Sequence, residues 1–390
     1  MYLLNIFRRY RNVFDDPSRH LLRIEINAES LKYNVGRFKT LYPHHYLAAV
    51  LKSNAYGHGL KEVGRFLDKR KEVECFVVDS IVEAKTLRDV GTHKPIIILG
   101  YVPRTALKSL RKIKKVIFVV NSVEQAELLQ VIINFRLQVH LKIDTGMNRQ
   151  GIGANELDHV INILKSNKNI SITGMMSHLA DADGPSGVAT QEQIRKWKIA
   201  LQTYKKLITD NRHHIFHFAA TAGARYLSTA ESNLIRAGIG LYGFDTTQDE
   251  QLKVKPVLSF QAKIVNLKEI KAGEKIGYNF TFTAPKDMKI AVIPCGYYEG
   301  IPRTLSNKGF FYYKDTPLPI LGRVSMNLTV VDVTDVGEPL HLEDKVEVYS
   351  SNPEKMNSVD NVAKLCDTIP YEILVRLAPT IKRVITGLKK

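Results

Sequence analysis

Cysteine is scarce in this chain. There are three in 390 residues, Cys75, Cys295 and Cys366, far apart and with no Cys-x-x-Cys pair. Neither a disulfide framework nor a zinc site follows from that spacing, and each thiol reads as a small buried hydrophobe. No apolar run approaches the ~18 residues of a transmembrane helix. The short apolar run at residues 2–7 is cut off by Arg8 and Arg9 and has no small-residue cleavage site after it, unlike a signal peptide. A cytoplasmic protein is therefore expected. Fifteen Pro and 24 Gly are too few for a low-complexity or collagen-like chain. Acids are also in deficit, 39 against 56 Lys and Arg, for a net charge of +17 with His neutral. Such a field attracts nucleic acid, anionic membranes or anionic small molecules. The excess is dispersed, however. Its densest runs, residues 108–115 and 68–74, read as solvated helix faces, and no nucleic-acid recognition motif accompanies them. Neither nucleic acid nor membrane is expected as a partner.

What is present is an alternation. Short β-branched or apolar runs at 46–51, 75–78, 95–99, 116–120, 139–143, 172–176, 215–219 and 234–241 alternate with stretches of helical period at 60–68, 81–90, 105–113, 123–135, 156–164 and 191–207. Strand and helix alternating in this way imply a parallel sheet covered by helices. Eight runs within roughly 200 to 250 residues predict an α/β fold, a closed (β/α)8 TIM-like barrel, with an open doubly wound sheet as the alternative. After Gly243 the texture changes to a polar linker, then to strand-like runs at 258–265, 290–294, 310–313, 324–333 and 345–349 with turn signals at 272–274 and 314–317. A helix is expected near 358–365 with Ser358 as its N-cap. The expected organisation is an extension at 1–20, the barrel at 21–250 and a mainly β domain at 251–390.

The chemistry gathers at strand ends, where parallel barrels place their sites. Leu51-Lys52-Ser53-Asn54-Ala55-Tyr56-Gly57-His58-Gly59 sets a lysine at the end of an apolar strand, before a polar turn. Lys52 reads either as a solvated strand cap or, in partly apolar surroundings, as an amine able to form a Schiff base with a carbonyl. Gly238, Gly240 and Gly243 satisfy Gly-x-G-x-x-Gly, but a dinucleotide fingerprint needs a helix opening there, and a polar linker follows instead. Backbone amides near Gly238 and Ile239 can instead approach a phosphate closely, because glycine has no Cβ. The triplet His213-His214-x-x-His217 has no acid or cysteine at suitable spacing, so no metal is expected.

Lys52-x-Asn54-Ala55-Tyr56-Gly57-His58-Gly59 resembles the cofactor-lysine motif of the alanine racemase family, which uses pyridoxal 5′-phosphate (PLP) on a (β/α)8 barrel followed by a β domain. The likeness extends, in family order, to Lys142-Ile143-Asp144-Thr145-Gly146-Met147-Asn148-Arg149, Ser177-His178, His217-Phe218-Ala219-Ala220-Thr221, Arg236-Ala237-Gly238-Ile239, Gly296-Tyr297-Tyr298-Glu299-Gly300 and Gly322-Arg323-Val324-Ser325-Met326-Asn327. The resemblance implies that Lys52 and Tyr297 are the two catalytic bases, for the D- and L-isomer faces, and that PLP meets Lys52, Tyr56, Arg149, His178, Thr221, Arg236, Gly238 and Ile239. It implies that Arg149 and Met326 help bind substrate, and that Lys142, often carbamylated in the family, and His217 stand behind the arginines. An arginine at the pyridine nitrogen weakens the ring as an electron sink. The resemblance further implies interconversion of L- and D-alanine for peptidoglycan, in a homodimer whose tyrosine comes from the second subunit. Ala220, Tyr298, Glu299, Asn327 and Pro379 depart from the family pattern, and those at Ala220, Asn327 and Pro379 motivate a broader amino-acid racemase, accepting serine or lysine, as an alternative. A non-catalytic PLP carrier would lack the β domain.

Overall fold

A computed structural model of the chain describes residues 20–184, 187–210, 213–246 and 251–388. Most of the expected extension at 1–20 lies outside them. The described chain divides into two compact units. After strand β1 (Leu22–Asn27), the first unit to be considered is built on β2 (Tyr46–Val50), β3 (Cys75–Val78), β4 (Ile96–Ile98), β5 (Val116–Val120), β6 (Leu137–Lys142), β7 (Ile170–Met176), β8 (Ile215–His217) and β9 (Leu234–Ala237). Strands β2 to β8 pair in sequence, all parallel, and β9 pairs with β2 in register Tyr46 to Leu234. The Asn233 amide donates to Phe216 O (2.9 Å) and that of Arg236 to Ala219 O (3.0 Å), which joins β9 to β8 and closes the ring. The eight-strand barrel is thus observed, and the open-sheet alternative is overturned.

Strands β3 and β4 form because each is an apolar, largely β-branched run buried on both faces, as a sheet wrapped by helices requires. Strands β6, β8 and β9, by contrast, carry His140, Lys142, His217 and Arg236 among their apolar residues. Inward side chains of the barrel meet in one cluster that includes Val50, Val77, Ile97, Val119 and Met176. The helices begin where local chemistry says they should: Ser80 and Glu83 form a reciprocal capping box at the start of Ile81–Asp89, and Ser122 caps Val123–Ile132. Arg104–Lys112 forms a 3-10 segment rather than the α-helix its spacing suggests.

The other unit holds a nine-stranded sheet. Its strands are β1, β10 (Leu258–Lys263), β11 (Asn266–Ile270), β14 (Met288–Ile293), β15 (Phe310–Tyr313), β16 (Thr316–Leu321), β17 (Thr329–Asp332), β18 (Lys345–Tyr349) and β19 (Lys382–Thr386), in the order β11-β14-β17-β16-β15-β18-β10-β1-β19. The short pair β12 (Lys275–Ile276) and β13 (Phe282–Thr283) stands apart. In β10 the buried residues Leu258, Phe260 and Ala262 alternate with half-buried Ser259, Gln261 and Lys263, the period of a one-sided strand. Ser358 accepts from the Asn361 amide and caps Val359–Leu365 as expected. Two assignments differ from the sequence reading. Leu22–Asn27, allotted to the barrel, pairs with β10 and β19, because Leu22, Ile24 and Ile26 present an apolar face at period two. The expected strand at 324–333 shrinks to β17, because Ser325 and Met326 spend their carbonyls on another loop.

Candidate active site

Lys52 stands half-buried just beyond β2, and the Leu51 amide before it donates to Val77 O (2.8 Å). The chain then winds the wrong way. Ser53, Asn54, Ala55 and Tyr56 have φ of 54°, 55°, 52° and 52°, a left-handed turn without a single glycine. Each such residue costs about 1–2 kcal/mol, so the turn persists only where its surroundings over-determine it, and conformations of this kind concentrate at functional sites. The Ala55 amide donates to Leu51 O (2.9 Å) and the Ser53 amide to Glu83 Oε1 (2.7 Å). The Tyr56 ring packs 5.1 Å from that of Tyr242, whose hydroxyl donates to Val50 O (2.8 Å).

Across the barrel rim, Thr221 Oγ1 accepts from the amides of Gly238 and Gly240, both at 3.3 Å, with buried Ile239 between them. A Cβ at position 238 would lie 2.7 Å from the Tyr56 hydroxyl. Glycine there keeps two hydroxyls and a pair of backbone amides around one small space. Such a donor set suits a phosphate.

Arg236 is 3% exposed and donates from Nη2 to Ser177 O (2.8 Å) and Phe218 O (3.3 Å), and from Nη1 to His217 O. It also meets His178 Nδ1 and His217 Nδ1, each at 3.2 Å. A guanidinium only donates, so both of those ring nitrogens accept and both histidines are neutral with hydrogen on Nε2. His217 Nε2 then donates to His140 Nδ1 (2.8 Å), which leaves the hydrogen of His140 on its buried Nε2, without a partner among the described residues. Burial agrees with the geometry. It pushes His178 down to about 3, helped by Arg236, Arg149, Lys142 and Lys52. His140 falls to about 3 and His217 well below its usual value for the same first reason. Arg236 itself is lowered to about 10 by burial and stays protonated near neutrality. His140 reaches His217 over Gly174 of β7, where a Cβ would lie 2.7 Å from the His140 ring and 2.3 Å from Ile215 O.

Lys142 is buried at the end of β6, and its Nζ donates to Gln150 Oε1 (2.9 Å). Burial, then Arg149 and Arg236, push its pKa down to about 8. Asp144 Oδ1 accepts from the amides of Gly146 (2.8 Å) and Asn148 (3.2 Å), shaping the turn that presents exposed Arg149. Buried Gln193 ties this loop to the next, donating to Thr145 Oγ1 (3.1 Å) and His178 O (3.2 Å) while accepting from the Ala180 amide (2.8 Å). The triplet His213, His214 and His217 does not converge: His214 bonds Tyr204 and Asp210, His213 lies against Tyr46, and His217 faces Arg236.

In the other unit, the Tyr297 amide donates to Ser325 O (3.1 Å) and that of Tyr298 to Met326 O (2.9 Å). Glu299 Oε2 accepts from the Gly296 amide and Oε1 from Asn327 Nδ2, both at 2.8 Å. Two of the departures from the family pattern, Glu299 and Asn327, are therefore bonded to each other. Tyr297 is 45% exposed and Met326 55%. The structure thus gathers Lys52, Lys142, Arg149, His178 and Arg236 within electrostatic reach of one another in the barrel unit, and pairs the loops of Tyr297 and Met326 in the other. Sequence reasoning missed Glu83, although Ser80-x-x-Glu83 is a readable capping box, and His140, although it shares a strand face with Lys142 at period two.

Comparison with known proteins agrees over most of the chain. The family model for the alanine racemase N-terminal domain matches residues 26–246 and that for the C-terminal domain residues 257–385. The alanine racemase of Borreliella burgdorferi (strain ZS7) is 33% identical over 372 residues, covering 92% of this chain and 96% of the relative. That of Syntrophobacter fumaroxidans is 33% identical over 90% of this chain and 93% of its own. Among solved structures, the alanine racemase of Clostridium difficile 630 superposes with a TM-score of 0.86 at 29% identity, covering 94% of this chain and 96% of its own. The alanine racemase of Bartonella henselae, solved with covalently bound pyridoxal phosphate, gives 0.81 at 28% identity, covering 94% and 100%.

Proposed function

This chain belongs to the alanine racemase family, and from that premise we propose that it interconverts L- and D-alanine with PLP, in the cytoplasm, supplying D-alanine for peptidoglycan. The observation that carries the reading is the rim of the barrel. A strand-end lysine, a cradle of the Tyr56 and Thr221 hydroxyls and the Gly238 amide, and a buried arginine among neutral histidines share it. The residues present fit the cofactor. Lys52 would hold it through the side-chain amine, and Tyr56, Thr221, Gly238 and Ile239 would hold its phosphate. Arg236, kept in place by His178 and His217, would face the ring nitrogen, and Arg149 the phenolic oxygen. PLP, when bound, draws electron density from the amino acid Cα so that its proton becomes removable.

The rest falls to side chains of this protein. Lys52 would exchange the proton on the D-isomer face and Tyr297 on the L-isomer face, each changing protonation state once per turnover. Arg149 and the Met326 backbone would hold the carboxylate. Lys142, with a pKa of about 8, keeps a neutral fraction that can bond carbon dioxide and release a proton. The carbamate so formed would set an anion between Arg149 and Arg236. A homodimer is part of the proposal. Tyr297, Tyr298, Met326 and Leu328 are all exposed on bonded loops, a patch suited to a second copy.

Purified protein should show a visible absorbance band that borohydride abolishes, with label retained on Lys52. Single enantiomers followed by chiral chromatography should give racemic alanine, and a panel with serine and lysine tests the broader reading. Colourless protein that takes up no PLP defeats the proposal. Mixing Lys52→Ala with Tyr297→Phe should restore roughly a quarter of native activity if two subunits share each site, since half the dimers would carry one intact site. No recovery after subunit exchange would place both bases in one chain.

A further inference from the structure

Glu83 lies outside the family motifs, yet its carboxylate bridges two pieces of backbone. Oε2 accepts from the amides of Asp79 (2.9 Å) and Ser80 (3.1 Å), at the start of the helix Ile81–Asp89. Oε1 accepts from the amide of Ser53 at 2.7 Å, the first backbone donor after Lys52. The first amides of a helical turn have no acceptor within the turn, whichever its hand. Lys52 is consequently pinned on both sides, by Leu51 N–H on Val77 O before it and by Ser53 N–H on Glu83 after it.

We infer that Glu83 is a positioning residue for the cofactor lysine, holding the left-handed turn so that the Lys52 side chain leaves β2 in a fixed direction. The inference rests on the reading that Lys52 carries PLP. A helix cap alone needs only the oxygen facing Asp79 and Ser80; the second oxygen serves the Lys52 turn. An ionised carboxylate is needed for both tasks, because it offers two accepting oxygens. In Glu83→Gln one of them becomes an NH2 group, which must face amide hydrogens either at Ser53 or at the helix start.

The test compares holoenzymes of Glu83→Gln and Ser80→Ala. Ser80→Ala breaks the capping box while leaving the Ser53 contact intact. Glu83→Gln should release PLP about tenfold faster on gel filtration and lower kcat by a similar factor with KM for alanine unchanged, as loss of one charge-assisted hydrogen bond predicts. Ser80→Ala should retain PLP like the native enzyme, even at an equal drop in Tm. Equal retention by the two variants would reduce Glu83 to a helix cap and overturn the inference. Should Glu83→Gln fail to fold, hydrogen exchange at the Ser53 amide of the native holoenzyme decides. That residue is exposed, so a slow amide supports the clamp and a freely exchanging one refutes it. Borohydride labelling of native Lys52 tests the underlying reading separately.

Discussion

The two halves of the barrel bury different chemistry. On β2 to β5 the inward cluster holds Val50, Val77, Ile97 and Val119, whereas the inward positions of β6, β8 and β9 include His140, Lys142, His217 and Arg236. The apolar half packs in one cluster with Met176 of β7 and Leu234 of β9 and asks for nothing but close packing. The polar half meets the donors of its guanidinium by keeping its histidines neutral, and leaves the Nε2 hydrogen of His140 without a partner among the described residues. The contrast teaches where each half is vulnerable. The first should respond to volume, the second to hydrogen-bond direction and protonation.

The comparison is broken most sharply at the rim. Lys52→Ala should cost at least about a thousandfold in racemisation with little change in Tm, measured by chiral assay beside calorimetry. In the apolar half, Ile97→Ala should lose about 2–5 kcal/mol in urea unfolding while each folded molecule keeps its activity. Loss of activity at unchanged stability would show that this half also takes part in chemistry. Gly174→Ala sharpens the boundary between the halves. Its Cβ would meet Ile215 O and the His140 ring, so a loss of about 1–3 kcal/mol is expected, with a weakened His140–His217 contact visible in a crystal structure.

The smallest expected effect is that of pH, and its sign follows from the burial of the histidines. His140 and His178 titrate at about 3 and His217 well below 6.5 when folded, but near 6.5 when unfolded. Below 6.5 the unfolded chain binds more protons, so acidification destabilises the native state down to about pH 3. A Tm lower by a few degrees at about pH 5 than at pH 7 is expected, and replacing His140 by Asn should flatten that slope. Lys142 acts on the alkaline side. With a folded pKa of about 8 against 10.5, it favours the native state increasingly as pH rises through that window.

Much of this was legible beforehand. The apolar strands β3 and β5 fall on the runs expected at 75–78 and 116–120, because a strand buried on both faces needs an unbroken apolar run, and such a run is local information. The cap at Ser358 was legible for the same reason. The amphipathic strand β1 was not: Arg23 and Glu25 interrupt its pattern, and its apolar face has meaning only beside β10 and β19, far away in the chain. The expected strand at 324–333 failed because carbonyls that a strand would spend on a ladder serve Tyr297 and Tyr298 instead.

Residue type and order alone therefore determined the alternation that makes a barrel, the lysine at the end of its first strand and the succession of family motifs. Those depend on period and neighbouring residues. Only the tertiary structure decided that Ser53 to Tyr56 turn left-handed, that Glu83 reaches the Ser53 amide, and that Arg236 directs a chain of neutral histidines to His140. Each of these joins groups tens of residues apart, and an isolated peptide would not bear such strain or burial without the packed surroundings that hold it.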